Sequence, residues 1–426
     1  MKLLSQRILK CGLALVALLV HPHHASSASV EAPQMLSQAL QFLYHKQGGT
    51  LGVLQKLDNL SDHSAPTWVQ AALMAAKSKT KNFDKGMASG ILNAILGRCY
   101  LDKDIDLAAN VIHEYNQVPS LQPDLVALCL AYATIHRDAA LKTQAQGILL
   151  QAEQLHPTKS FIGKDLIEKE SSANWEVLKE KYEIDLLQDD KEFCVLGKPS
   201  GMVCYHANKP ANNKRRKKST NSPQAVTVSL EEALIFNHVP LSSLNEQGHG
   251  MVHRLDKGTS GCIVVAKTNR LHACLVAEFF TRQLSKSYQA LVVGRKTSRC
   301  DENTISLPID GRPAVSRWSV EQHFTMKTSD SGVLDLTRLR VQTQQGRRHQ
   351  VRLHCARGLG APIVLDPLYG GVAVLSNVPS HWQKWHEQEK FALHADKLSI
   401  PTWNINVKAP LPRWWQELES ELHAND

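Results

Sequence analysis

Nine residues, His253-Arg254-Leu255-Asp256-Lys257-Gly258-Thr259-Ser260-Gly261, run directly into the apolar stretch Cys262-Ile263-Val264-Val265-Ala266. A short, β-branched apolar run of this kind reads as a buried strand. The polar residues before it must then form a loop at the strand's edge, where rigid scaffolds hold functional groups. An arginine two residues before an aspartate lets both act on one ligand while the aspartate stays ionised. That pairing suits a nucleophile or base beside a reader of phosphate or carboxylate. The plainer reading is a surface turn with an incidental ion pair, and residue types alone leave both open.

Two other chemistries fail on spacing. Gly258-Thr259-Ser260-Gly261 is not the G-x-S-x-G elbow of hydrolases, and His386-Glu387-Gln388-Glu389-Lys390 lacks the second histidine of a zinc helix. H-R-L-D-x-x-T-S-G followed by an apolar strand and Ala266-Lys267 resembles the catalytic signature of the RluA-type RNA pseudouridine synthases. The resemblance continues in family order from Gly197 to Pro401. Gly197-Lys198-Pro199-Ser200-Gly201-Met202 is similar to the K-P-x-G element that opens the catalytic domain, and Lys286-Ser287-Tyr288-Gln289-Ala290 to K-x-Y-x-A. Ala314-Val315-Ser316-Arg317-Trp318 resembles a further strand, with Ser316 where threonine is common. Gly346-Arg347-Arg348-His349-Gln350-Val351-Arg352-Leu353-His354 resembles T-G-R-x-H-Q-I-R-x-H, with Gln345 in place of the threonine. Pro362 to Gly370 resembles P-I-x-G-D-x-x-Y-G, with Leu365 in place of the glycine, and Leu393 to Pro401 resembles the closing strand.

What the resemblance implies is an RNA-modifying enzyme. Its fold would be α/β (α+β), with a mixed, largely antiparallel sheet and a basic cleft. The activity would be isomerisation of specific uridines to pseudouridine in rRNA, tRNA or organellar RNA. Asp256 would be the nucleophile, attacking either ribose C1′ or base C6. Tyr288 would stack on the uracil and help remove a proton. Arg352 would pair with Asp256; an adjacent cation favours the charged form of a carboxylate. Arg254 would contact phosphate or occupy the space the base leaves. His253, Arg347, Arg348 and His349 are further candidates for RNA contact, and Lys198 would meet phosphate or simply be solvated. If the segment after Gly346 is helical, Arg348 and Arg352 share one face at i, i+4. The reaction calls for no cofactor and no metal. The competing readings are a catalytically inactive RNA-binding protein and a helical-repeat adaptor.

Charge supports a polyanionic partner. The formal net charge is +9, and residues 281–360 hold 14 Lys or Arg against 6 Asp or Glu. A basic surface gathered in one region suggests a polyanion partner, and a merely soluble basic face, which is common, explains the same charge. The nine cysteines show neither C-x-x-C nor metal-ligand spacing, and several sit in apolar contexts, which fits a reducing compartment. The alternation from Leu334 to Val341 slips phase between Leu336 and Leu339, as a β-bulge would make it do.

Residues 31–175 read as a helical domain before the catalytic one, assigned to 180–416. Ile91, Leu92, Ile95 and Leu96 share a face, as do Leu107, Ala108, Val111 and Ile112, with Asp102 to Asp104 as the turn. A second pair covers Leu125–Ile135 and Ala139–Leu155, and L-x-P recurs at Leu121 and Leu155. Gly90 to Asp124 resembles a pentatricopeptide repeat, a helical-hairpin unit able to read single-stranded RNA. An ordinary helical bundle explains the same pattern. Lys209 to Gln224, centred on Lys214-Arg215-Arg216-Lys217-Lys218, reads as a basic mobile insertion that could add phosphate contacts. In residues 1–30, Lys2, Arg7 and Lys10 flank the apolar Cys11 to Val20 and no acid precedes Glu31. Ten residues are too few to span a bilayer, so the segment reads as a targeting leader. The expectations are an organellar protein (plastid or mitochondrion), with the secretory pathway, cytoplasm or nucleus as alternatives, no membrane span in the mature form, and a monomer. A reporter fused to residues 1–60 should enter an organelle and be shortened on a gel; diffuse cytosolic signal at unprocessed size would overturn the leader.

Overall fold

The computed structural model describes residues 85–118, 122–155, 173–206, 228–297, 303–328, 332–343, 345–376 and 378–423. The leader, residues 31–84, the basic insertion and the L-x-P residues Leu121, His156 and Pro157 lie outside them. The chain divides into two compact units, residues 1–157 with 273–281, and 158–272 with 282–426.

In the first unit the described residues form helical hairpins. α1 (Lys85–Asp102) and α2 (Ile105–Asn116) are joined at Lys103 and Asp104; α3 (Leu125–Ile135) leads through a 3₁₀ turn (Ala139–Leu141) into α4 (Lys142–Leu155). The starts are written locally. Asp104 caps α2 by accepting from the Leu107 N–H, and Asp124 caps α3 by accepting from the Ala127 N–H, the usual role of an aspartate at a helix start. Every residue of α3 from Ala127 to Ile135 is buried, and it packs against α1, α2 and α4, as expected of a helix apolar on all sides. Residues 273–281, inside the sequence of the second unit, belong here: Glu278 is fully buried and accepts from Tyr100 Oη at 2.8 Å.

The second unit begins earlier than the sequence indicates. α5 (Trp175–Tyr182) buries Leu178 in the core beneath β1 (Asp185–Asp189) and β2 (Phe193–Lys198). After these come α6 (Leu230–Phe236), β3 (Ser260–Ala266), α7 (Asn269–Thr281, whose residues 273–281 belong to the first unit), β4 (Ser285–Val293), β5 (Asn303–Ser306), β6 (Val315–Lys327) and β7 (Val333–Thr343). α8 (Gln350–Leu353), α9 (His381–Glu387), β8 (Leu393–Ile400), β9 (Ile405–Lys408) and α10 (Arg413–His423) complete it. The unit also ends later than residue 416: α10 buries Trp414, Trp415, Leu418 and Leu422 in the main core beside Trp382 and Trp385 of α9.

Among the described residues, one nine-stranded sheet runs in the order β1-β2-β3-β8-β4-β7-β6-β5, with β9 on β8. Every pairing in it is antiparallel except β3 with β8, the mixed and largely antiparallel sheet expected. The exception matters for the site, because β3 and β8 pair only through Ser260–His394 and Gly261–Ala395. Gly261 has φ 109°, and a Cβ there would stand 2.2 Å from the Ala395 carbonyl oxygen. Only glycine allows this approach. On its other edge β8 carries a bulge, so that Tyr288 of β4 stands opposite both Ala395 and Asp396, the two-against-one arrangement of such irregularities. The bulge expected on Leu334–Val341 is real but lies across the ladder: the extra residue is Glu321 of β6, while β7 keeps continuous register with β4.

No helix among the described residues is long and apolar enough to cross a membrane. Asp124 does more than cap α3, since its carboxylate also accepts from Ser89 Oγ at 2.8 Å and Asn93 Nδ2 at 3.0 Å. Asp124→Ala should therefore cost about 1–2 kcal/mol of unfolding free energy, read by denaturant titration; Asp124→Asn, which keeps an acceptor, should cost less.

Candidate active site

The loop carrying Asp256 is stitched to the segment after β2. The Leu255 N–H points at Cys204 Sγ at 3.4 Å, and the Lys257 carbonyl accepts from the Gly201 N–H at 2.8 Å and from Lys198 Nζ at 3.2 Å. Gly258 packs against Phe391; a Cβ there would fall 2.2 Å from the ring. Lys257 forms an ion pair with Glu389. These contacts leave the Asp256 carboxylate, 26% exposed, in a pocket of about 390 Å³, within the usual range for small-ligand sites.

Arg352 faces it from α8. Its Nη1 donates to Asp256 Oδ2 at 3.2 Å, while Nε and Nη2 donate to Asp366 at 2.7 and 2.9 Å. Asp366 is fully buried and also accepts from the Leu368 N–H, so its position is set by backbone as well as by arginine. The guanidinium lies 4.5 Å from the Phe391 ring centre and 5.1 Å from that of Tyr369, close enough for the ring faces to attract it. Burial opposes its charge, but Asp366 and then Asp256 outweigh burial and shift its pKa upward. His349 completes the wall, its Nδ1 2.8 Å from Tyr369 Oη and its Nε2 3.8 Å from Asp256. Burial, then Arg352 and Arg348, lower this imidazole's pKa against the pull of Asp256.

Arg254, Asp256, Arg348, His349 and Arg352 thus line one pocket. Arg254 reaches toward Tyr205 Oη at 3.4 Å. Tyr288 lies below, packed between the two cores of the unit. Burial and then the Asp256 charge push its phenol up to about 12. Arg348 does not share a helix face with Arg352. His349 has φ 54°, which breaks the backbone before α8 begins, and the two arginines meet only as pocket lining.

Two expected RNA contacts are struts instead. Lys198 is 1% exposed, and its ammonium donates to the carbonyls of Pro199, Met202 and Lys257. Burial pushes it down to about 8, and those three acceptors are what make the buried cation tolerable. His253 turns inward so that its Nε2 accepts from the Val264 N–H at 3.0 Å, tying the loop to β3; burial, then Lys286, push it down to about 3. Arg347 lies in a neighbouring cavity. Asp366, Tyr369 and Phe391 were given no role by sequence reasoning, although Asp366 is the only charged residue between Arg357 and Lys384, a usable signal. Leu365 holds φ 67°, the left-handed conformation that favours glycine, and its side chain is fully buried. Core packing there offsets a local strain on the order of 1 kcal/mol. Gln345 takes up hydrogen bonding at the threonine position by accepting from the Val315 N–H at 2.6 Å.

A carboxylate paired with a shared, buried arginine, in a pocket also lined by Arg254 and Arg348, has the character of a site for an anionic substrate. Residues 192–357 match the family described as RNA pseudouridylate synthase. The chain is 34% identical over 259 residues to ribosomal large subunit pseudouridine synthase D of Pseudomonas aeruginosa, covering 58% of this chain and 74% of that protein. It is 30% identical over 269 residues to YlyB, an uncharacterized RNA pseudouridine synthase of Bacillus subtilis (59% and 76%). It is 28% identical over 265 residues to the Escherichia coli K12 synthase D (57% and 71%). The chain belongs to the RNA pseudouridine synthase family and is an isomerase of that class.

His253, His272 and His394 are held neutral, at about 3, 4 and 4 against an ordinary 6.5, in each case first by burial. Between those values the unfolded chain binds more protons than the folded one. The stability they contribute is complete above pH 6.5 and is lost as pH falls toward 4 and then 3. Unfolding free energy should drop by on the order of 1 kcal/mol per histidine between about pH 6.5 and 5.5, and His253→Gln should flatten that limb.

Proposed function

We propose that Asp256 is the nucleophile with which this chain isomerises uridine to pseudouridine in RNA. The observation that carries the assignment is the shared guanidinium: Arg352 is bound on its Nε–Nη2 edge by Asp366 and offers Nη1 to Asp256. A carboxylate so placed is aimed by the guanidinium, whose hydrogen bond falls on Oδ2 alone. The target base must leave its stack to reach the pocket. Arg254, exposed at the rim, would occupy the space or contact phosphate, and Arg348 and His349 would hold the ribose–phosphate on the opposite wall, contacts that position rather than read. Tyr288, kept protonated, suits stacking on the uracil better than proton removal.

The reaction is internally balanced. Asp256 attacks ribose C1′ or base C6, the C1′–N1 bond breaks, the uracil turns, C5 bonds to C1′, and the bond to Asp256 breaks so that its carboxylate is returned. The proton lost from C5 is matched by the one gained at N1. The named targets of the relatives point to large-subunit ribosomal RNA as the substrate class. The helical unit would add target choice; its two consecutive hairpins and the Gly90–Asp124 pattern support a pentatricopeptide-like reading, in which RNA lies along the repeats.

Asp256→Asn keeps shape and hydrogen bonding but removes the attacking charge. Because affinity for RNA comes mostly from phosphate contacts, binding should change by no more than a few-fold while pseudouridine formation disappears. Wild-type activity should persist in chelator. Turnover by the Asn variant near the wild-type rate, or loss of wild-type activity on metal removal, would overturn the mechanism.

A further inference from the structure

Beside the pocket of Asp256, and sharing Arg348 with it, lies a second cavity of about 400 Å³ lined by Ile309, Asp310, Arg312, Gly346, Arg347 and Arg348. Its charge is one-sided, three arginines against one aspartate. Two further cations stand behind it. Lys286 lies under the floor, where a Cβ on Gly346 would stand 3.2 Å from its Nζ; a side chain at 346 would meet the ammonium. Arg282 connects Lys286 to the rest. Burial and then Arg282 push Lys286 down to about 8, burial and then Arg347 lower Arg282, and burial and then Arg312 lower Arg347. The four groups form a chain of mutually repelling cations. Among the described residues, Arg282, Arg312, Arg347 and Arg348 make no ion pair with a carboxylate. The nearest acceptor recorded for any of them is the Pro313 carbonyl, 3.4 Å from Arg347 Nε.

We propose that this cluster holds a backbone phosphodiester of the RNA strand, next to the nucleotide that enters the Asp256 pocket. The proposal rests on the RNA-isomerase reading of that pocket. Repulsion among clustered cations is unfavourable unless an anion completes the site, and planar guanidinium forks match phosphate oxygens bidentately. The cavity has no aromatic lining and only Ile309 as a large apolar wall. With no aromatic ring and several clustered guanidiniums, the lining suits phosphate oxygens better than a base, so the site positions the strand without reading its sequence. Arg348, common to both cavities, makes the two sites neighbours on one strand.

The test uses the full chain and a short RNA containing a target uridine. Arg312 is exposed, so Arg312→Gln should fold normally; Arg312→Gln with Arg347→Gln is the main variant, and Arg347→Lys keeps the charge as a control. The double variant should bind RNA about tenfold or more weakly. The slope of log affinity against log salt should fall by about 0.7 for each arginine lost. Arg347→Lys should retain most of the affinity. In the wild type, a neutral methylphosphonate at one linkage flanking the target should reproduce the loss; in the double variant the same substitution should cost nothing further. Unchanged affinity and salt slope in the double variant would overturn the clamp. So would millimolar inorganic phosphate protecting the wild type against denaturation, and not the double variant, while RNA affinity stays equal in both, because the cluster would then serve free anions. Pseudouridine formation by the wild type is assayed in parallel. Its absence would sink the isomerase reading, while the binding data decide the clamp on their own.

Discussion

Everything at the site depends on one buried guanidinium divided between two carboxylates. Arg352 is 4% exposed and Asp366 not at all, so this pair would be a liability if either partner were missing. Removing one member of a buried ion pair typically costs about 3–5 kcal/mol, because the other charge is left stranded. Asp366 takes the Nε–Nη2 edge of the guanidinium and is itself fixed by backbone amides, leaving Nη1 for Asp256. The more exposed carboxylate thereby gains a cation whose direction it does not have to organise. Phe391 and Tyr369 close over the guanidinium and limit its solvation. The arrangement is preorganised: the cation that faces Asp256 is held in place by groups other than Asp256 itself.

The scaffold around that guanidinium shows why a polar loop can be rigid. The Asp256 loop is bound on one side by the carbonyl-capped Lys198 and the Gly201–Lys257 hydrogen bond, and on the other by His253 clasping the Val264 amide. Downstream, Gly261 presses against Ala395, and Ser260 Oγ meets His394 Nδ1 at 2.9 Å, while His394 Nε2 donates to the Ala409 carbonyl. The parallel β3–β8 contact is only two residue pairs long, yet it is the point at which the Asp256 loop is locked to the strand beside Tyr288. Polar groups are spent here on holding backbone, which is why several of them carry strongly shifted pKa values without facing solvent.

Around this rigid centre the charge is arranged for an elongated anion. Arg254 and Arg348 line the pocket that holds the Asp256 carboxylate, and Arg348 also lines the second cavity with Arg312 and Arg347. Long-range attraction would bring RNA to the surface without regard to sequence, and choice of uridine must come from which base can be lifted into the pocket and from what lies beyond the catalytic unit. The neighbouring helical unit has its own caps and its own core, consistent with a separately specified element.

Sequence by itself determined the local grammar: capped helical hairpins at Asp104 and Asp124, the buried strand after Gly261, and the order of motifs whose resemblance to one enzyme family extends over half the chain. That resemblance, rather than residue type or spacing, is what singled out Tyr288 and Arg352 beside Asp256. What it could not decide was direction. Lys198 and His253 are polar residues close to Asp256, and nothing in their chemical identity distinguishes a group facing RNA from one turned inward to bind a carbonyl or an amide. The role of Asp366 was hidden for the same reason, since its arginine partner belongs to another element and comes into reach only when α8 packs against the turn. The domain limits and the β6 bulge are likewise tertiary facts. Which strand carries an extra residue, and which core a helix joins, are settled by long-range packing, whose energy is shared among residues too distant in sequence to be read as one pattern.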